Sequence, residues 1–296
     1  MFSRAQLSGR AAILLSAVLQ AFGQVAYGTF LAAIPSPAFV AYCFLAAAIL
    51  FLALSGGGVR LAAWKPLLVL NIGTVATFVP FFYALQLINS AAASAINVGV
   101  GPLAATLIGT AMTGSIPSVR RVVVCLGVLV GGMVLAVAAT HGDPLTASTV
   151  DSRWLGVLAS VVTGCGVVIV TLSSRALLDR GWRSGTVLAH RFYLIVPLSL
   201  AMAHGTYDLA TVHWSWTIIL VSVAVAALGV ILPLYLNQVG IKRADTHTVT
   251  VLFAMIPVFA FAIQSALPYN SVHWQTALGI GIIFLAVVAD LSKRRG

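Results

Sequence analysis

Phe78-Val79-Pro80-Phe81-Phe82-Tyr83, with Ala91 after it, decides the fold of this chain because a weak repeat of it stands about 150 residues later. The repeat is Ile231-Leu232-Pro233-Leu234-Tyr235, with Ala244 after it. Further stretches repeat in the same order, namely 36–44 with 184–192, 101–102 with 256–257 and 130–136 with 280–286. The sequence therefore predicts a duplication, with a first repeat over 1–140 and a second over 141–296.

The composition is that of an integral membrane protein. Hydrophobic residues make up 60% of the 296 residues, and charged residues only 7%, whereas soluble domains carry about 25% charged residues. The net charge of +10 does not indicate nucleic-acid binding, because the cations stand in short turns between apolar runs, beside a bilayer surface. The cysteines lie within apolar runs, so their spacing excludes a disulfide framework or a CxxC metal site.

A transmembrane helix needs about 20 apolar residues, and ten segments of the sequence qualify. They are 11–34, 38–55, 66–88, 91–113, 122–140, 154–174, 185–203, 216–239, 246–267 and 275–291. Each repeat then holds five spans, and since five is odd, the second repeat is predicted to be inverted relative to the first. The predicted fold class is an all-α membrane protein of ten helices in two inverted five-helix repeats.

The distribution of Lys and Arg predicts the orientation of these spans. With ten spans, these residues fall on one side of the membrane, except for Arg153 on the other side and Arg191 within a span. By the positive-inside rule both termini are predicted to be cytoplasmic, in the cytoplasmic (inner) membrane. The histidines at the outer boundary are interpreted as interfacial residues, and the sequence predicts no metal and no cofactor.

Several motifs of the repeats resemble one known family. They are Tyr83-Ala84-Leu85, Ser90–Ser94, Gly101-Pro102-Leu103, Gly127–Gly132 and, in the second copy, Arg191-Phe192. In their order and duplication the chain resembles the ten-helix EamA-type branch of the drug/metabolite transporter superfamily, over nearly its whole length. The resemblance implies a central cavity lined by the first, third and fourth helices of each repeat, with the fifth helices peripheral or at a dimer contact. It also implies export of amino acids or related metabolites.

Polar residues and prolines within the implied cavity helices are the candidate substrate site. Polar side chains in a span are costly and tend to face a cavity or another helix, and proline can expose backbone carbonyls to a ligand. An interhelical hydrogen bond is the alternative role for each polar side chain. The candidates are Gln20, Gln24, Tyr27, Asn71, Thr74, Tyr83, Asn97, Pro102, Tyr235, Asn237, Thr250 and Pro257.

Charged groups within the spans are few. Arg191 can bind a substrate carboxylate in a bidentate contact, or it can act as a structural anchor. The anchor is favoured here because the resemblance makes its helix peripheral. Asp290 is the only acid in an apolar run, near the predicted cytoplasmic end, so no carboxylate is predicted mid-membrane as a proton relay.

These features favour a secondary transporter that exports a small polar or zwitterionic metabolite, such as an amino acid, its derivative or an amino-acid-built metallophore, by alternating access. An importer is the alternative. An intramembrane enzyme is disfavoured because the sequence has no HExxH motif and no intramembrane Asp pair, and a membrane scaffold because it has no soluble domain. The predicted partners are the substrate and the lipid bilayer, without nucleic acid, and the protein is predicted to be a monomer or a homodimer.

Overall fold

The computed structural model describes residues 4–31, 34–55, 63–114, 117–140, 150–206, 215–244, 249, 252–267 and 274–292, which are helical apart from short connections. The helices of the first half are α1 (Arg4–Phe30), α2 (Ser36–Ser55), α3 (Trp64–Leu87), α4 (Ser90–Thr113) and α5 (Val119–Thr140). Those of the second half are α6 (Val150–Leu178), α7 (Ser184–Ala189), α8 (Ile195–Thr206), α9 (Trp216–Ala224), α10 (Leu232–Arg243), α11 (Ile256–Ser265) and α12 (Trp274–Ser292). A π-helical segment, Val225–Ile231, joins α9 and α10 into one continuous helix.

Six helical stretches in the described residues are long and apolar enough to cross a bilayer. They are Ser8–Phe30, Ser36–Ser55, Trp64–Leu87, Ser90–Ala111, Asp151–Leu178 and Trp216–Arg243. Shorter apolar helices occupy the other predicted segments, at Val122–Leu135, Ile195–Gly205, Ile256–Ser265 and Trp274–Ala286. The protein is therefore an all-α, multi-pass membrane protein.

The outer surface of the helices agrees with a lipid environment. Large apolar side chains point outward, among them Ile49, Leu220 and Leu285, which are 61%, 66% and 67% exposed. A soluble protein rarely leaves apolar patches of this extent in water. Trp64 and Trp216 are exposed at the first positions of their helices, where an interfacial aromatic belt places tryptophan.

The helices of the two halves pack mainly across the boundary between the halves. Helix α3 of the first half lies along α6, and α4 also contacts α6. In the same way α1 lies along α9–α10 and also contacts α11. Three further contacts join corresponding helices of the two halves: α2 packs on α7 and α8, α4 packs on α11, and α5 packs on α12. Exchanging the first half for the second, helix by helix, converts the contacts of α3 and α4 with α6 into those of α1 with α9–α10 and α11, and it maps each of the other three contacts onto itself. The packing therefore has the pattern of a two-fold exchange between the halves.

Individual close contacts follow the same exchange. A Cβ on Gly23 of α1 would lie 2.5 Å from the Cα of Gly229, and a Cβ on Gly166 of α6 would lie 2.7 Å from the carbonyl carbon of Ala76. Gly229 and Ala76 each stand four residues before the proline of their own repeat. Backbones approach this closely only where a side chain is missing from at least one helix.

The contact between α5 and α12 corrects one detail of the sequence repeat. The repeat aligned Gly131 with Gly281, but a Cβ on Gly281 would meet nothing within 4 Å. A Cβ on Gly131 would instead lie 2.9 Å from the carbonyl oxygen of Gly279, and a Cβ on Gly279 would lie 3.0 Å from that of Gly131. Gly131 and Gly279 are thus the equivalent positions, since each fits against the other's backbone.

The predicted seventh span, 185–203, is not one continuous helix. α7 ends at Ala189 and α8 begins at Ile195, and Asn71 of α3 holds both sides of the break. Its Nδ2 donates to the carbonyl oxygens of His190 (2.9 Å) and Leu67 (3.0 Å), while its Oδ1 accepts from the backbone N–H of Leu194 (3.3 Å). The amide thereby satisfies backbone groups that lipid would leave unpaired.

Candidate substrate cavity

A cavity of about 810 Å³, including the part that opens outward, lies between the two halves. Its walls come from α1, α3 and α4 of the first half and from α6, α10 and the start of α11 of the second. Arg191 reaches it from the break between α7 and α8.

Four side-chain amides line the cavity. They are Gln20 and Gln24 from α1, Asn97 from α4 and Asn237 from α10. A carboxamide carries both donors and acceptors, so these walls present polar groups without charge. Asn237 Oδ1 is buried and makes no hydrogen bond within the described structure, which leaves an acceptor unsatisfied at the cavity wall.

The two glutamines are held by hydrogen bonds within and between helices. Gln20 Nε2 donates to Ser16 Oγ at 3.0 Å, and Ser16 Oγ donates to the carbonyl oxygen of Pro233 in α10, also at 3.0 Å. Gln24 Oε1 accepts a hydrogen bond from Ser94 Oγ of α4. These contacts tie α1 to α10 and to α4 at the level of the cavity, so the amide positions depend on how these helices pack.

Threonines on α3 and α6 also line the cavity, and those on α6 were not among the predicted site residues. Thr163 and Thr171 stand eight positions apart on one face of α6, and Thr77 faces the cavity from α3. Each hydroxyl donates to the carbonyl four residues earlier in its helix, at 2.7–2.9 Å. Because the protons are engaged, the oxygens are left to act as acceptors. The eight-residue spacing of Thr163 and Thr171 places both on one helical face, and this pattern in the sequence could have indicated their role.

Arg191 lines the cavity although it is only 4% exposed. Its Nε donates to Thr74 Oγ1 at 3.2 Å. Its guanidinium carbon lies 5.8 Å from the ring centres of both Phe78 and Phe192, within the range of a cation–π contact. In the described part of the chain no carboxylate pairs with it, so the cavity wall carries a positive charge.

Asn71 and Thr74, predicted to line the cavity, lie behind its wall instead. Asn71 is 3% exposed, and its amide is fully engaged at the helix break. Thr74 is completely buried, donates to the carbonyl oxygen of Leu70 at 2.7 Å and accepts from Arg191. Both side chains therefore position the residues around Arg191. Each takes the alternative role given above for polar residues in a span, an interhelical hydrogen bond.

The three predicted tyrosines lie outside the cavity. Tyr27 is completely buried, its hydroxyl donates to the carbonyl oxygen of Ile34 at 3.1 Å, and its ring packs 4.5 Å from that of Phe39. Tyr27 was a candidate as a polar residue in a span, but a tyrosine ring packs as an apolar group once its hydroxyl has a hydrogen-bond partner. Tyr83 and Tyr235 are 37% and 46% exposed and are absent from the cavity wall.

The remaining candidates lie partly outside the described residues. Pro102 lies in α4 with its side chain outside the described part, although the neighbouring Gly101 lines the cavity. Thr250 and the side chain of Asp290 also lie outside it. Pro257 is buried in the first turn of α11, a position that suits proline, and its neighbour Ile256 contributes to the wall.

Comparison with known proteins identifies the fold. Among the solved structures, 22 chains match. One of them, described only as "Crystal structure of protein", superposes with a TM-score of 0.67 at 19% sequence identity, over 99% of both chains. No protein-family model matches the chain, and no curated protein does. The chain thus shares its entire fold with a solved structure of divergent sequence.

Proposed function

We propose that this protein is a secondary transporter of the EamA type, with ten spans in two inverted repeats, that exports a small polar or zwitterionic metabolite across the cytoplasmic membrane. The observation that carries the proposal is the amide-lined cavity between two halves whose contacts exchange with each other. Transporters built from inverted repeats bind their substrate at the interface of the repeats. The sequence motifs that resemble the family support the same assignment.

The exchange pattern supports alternating access. The contact of α1 with α10 and the contact of α3 with α6 are equivalent under the exchange. If the repeats are inverted, these two contacts close opposite ends of the cavity. States in which one is open and the other closed then differ little in free energy, and a substrate or ion shifts the balance between them.

The cavity lining favours a substrate with little net charge. Four amides, three threonines and Arg191 supply its polar groups. A phosphorylated substrate would need several Arg or Lys side chains, and among the described residues Arg191 is the only such side chain in the lining. Phe78, Phe81 and Phe253 add apolar surface for a hydrocarbon portion.

The proposed orientation predicts that a reporter fused after Gly296 lies in the cytoplasm, because nearly all Lys and Arg fall on that side. A cytoplasmic reporter there should be active and a periplasmic one silent. The matched control is an insertion of the same reporters after Gly205, at the end of α8, where the activities should reverse. Equal activities at the two sites would contradict the ten-span arrangement.

The function is tested by deleting the gene and profiling metabolites of cells and medium separately. We expect a small zwitterion to accumulate in the cells and to fall in the medium. Complementation with Asn97→Ala or Asn237→Ala should restore export poorly at normal protein level, because each variant removes a cavity amide. Tyr235→Ala should restore it fully, since Tyr235 lies outside the cavity. Impaired nutrient uptake with unchanged export would favour the importer.

A further inference from the structure

We propose that Arg191 binds a carboxylate group of the substrate and so determines which metabolites enter the cavity. The inference rests on the proposed transport function and reverses the anchor role favoured by the sequence. It begins from a buried positive charge without a counter-charge. Arginine stays protonated in proteins, and a buried charge is costly unless it is paired. A bound anion would pair it.

The protein contacts of Arg191 leave the binding end of the guanidinium unused. Nε donates to Thr74, and the guanidinium carbon lies over the rings of Phe78 and Phe192. Within the described residues neither terminal nitrogen donates to a protein acceptor. In a structural anchor the terminal nitrogens would instead donate hydrogen bonds to carbonyl or carboxylate oxygens of the protein. The two terminal nitrogens form the fork that grips both oxygens of a carboxylate.

The surroundings hold this fork in place. Thr74 is itself fixed, since it donates to the carbonyl oxygen of Leu70. The ring of Phe44 lies 4.6 Å from that of Phe78 and 5.4 Å from that of Phe192, so the aromatic surface beside the guanidinium is packed from behind. A pre-organised donor loses little freedom when it binds, which favours affinity.

Acceptors are available on the cavity walls away from Arg191, at Asn237 Oδ1 and at the threonine oxygens of α6. The cavity is therefore polarised, with its strongest donor at Arg191.

The test compares matched acids and amides on the purified full-length protein. The probes are the proteinogenic L-amino acids and their C-terminal amides, which keep the ammonium group and lose the carboxylate. Binding is measured by thermal shift in detergent, and transport by flux in proteoliposomes. We expect at least one acid to bind and its amide to bind about 10–100-fold more weakly, the range of a charge-assisted hydrogen-bond pair.

Variants locate this preference. Arg191→Gln should weaken acid binding to the level of the amide, and Arg191→Lys should give an intermediate affinity because it keeps the charge and loses the fork. Arg180→Gln is the control, since Arg180 is exposed and donates only within its own segment, to the carbonyl oxygen of Ala176. It should behave as the wild-type protein.

Each adverse outcome has a separate meaning. Equal binding of acid and amide to the wild-type protein would overturn the role of Arg191, and this comparison needs no variant to fold. So would an acid preference that survives in Arg191→Gln, or a panel in which no acid binds. Flux of acids and amides alike would overturn the carboxylate inference and leave transport standing. Acid binding that depends on Arg191 without any flux would overturn transport and leave the site standing.

Discussion

Gly229→Ala is expected to destabilise the folded protein by about 1–3 kcal/mol, the usual cost of overpacking a tight contact. The Cα of Gly229 lies against Gly23, and a Cβ on either residue would fall 2.5 Å from the other's Cα. Backbone cannot rotate aside as a side chain can, so α1 and the π-helical segment must separate. The measurement is the thermal midpoint of the purified protein in detergent, and Gly23→Ala should lower it comparably.

The control is Gly281→Ala in α12. A Cβ there would meet nothing within 4 Å, and alanine in a helix interior is favoured over glycine by ~0.5–1 kcal/mol. We therefore expect this variant to be as stable as the wild-type protein or slightly more so. If Gly229→Ala proved as stable as Gly281→Ala, the close approach of α1 to this helix would be wrong.

Asn71→Leu is expected to destabilise the protein by about 2–4 kcal/mol, because it leaves the carbonyl of His190 and the N–H of Leu194 without their partner in a buried site. Each buried polar group that loses its partner costs about 1–3 kcal/mol. The break between α7 and α8 should loosen as a result. Amide hydrogen exchange of 190–195 should become faster, and the thermal midpoint should fall.

The control for this variant is Asn89→Ala. Asn89 caps α4 by accepting one hydrogen bond from the N–H of Ala92 at 2.8 Å, and loss of such a cap costs about 1 kcal/mol. Its thermal midpoint should fall less, and exchange in 190–195 should stay unchanged. Protection of 190–195 that survived in Asn71→Leu would show that the break does not depend on this amide.

The helical segments could be predicted from the sequence because a membrane span is recognised from local properties, namely its length and its hydropathy. The break in the seventh segment could not be predicted in this way. No proline or glycine stands between Ala189 and Ile195, and the partner that holds the break, Asn71, lies 119 positions from His190 in the chain. A contact between distant positions leaves no mark on local periodicity.

The candidate site was predictable to the extent that burying a polar group is costly. Gln20, Gln24, Asn97 and Asn237 were found by this rule, since a carboxamide in a span needs partners. Threonine does not follow this rule, because its hydroxyl can donate a hydrogen bond to a carbonyl of its own helix, as it does in α6. The position of Arg191 could not be inferred either, because the break brings it from a helix expected at the periphery to the cavity wall.

The interleaving of the two halves has a consequence for how the protein is made. α3 is complete at Leu87, but α6, against which it lies, is complete only at Leu178. At ~5–20 residues per second of translation, the first half waits in the bilayer for roughly 5–20 s with its inner faces uncovered. During this interval Ser16 and Asn71 lack the backbone partners that the second half supplies, so biogenesis is the stage at which this architecture is most vulnerable.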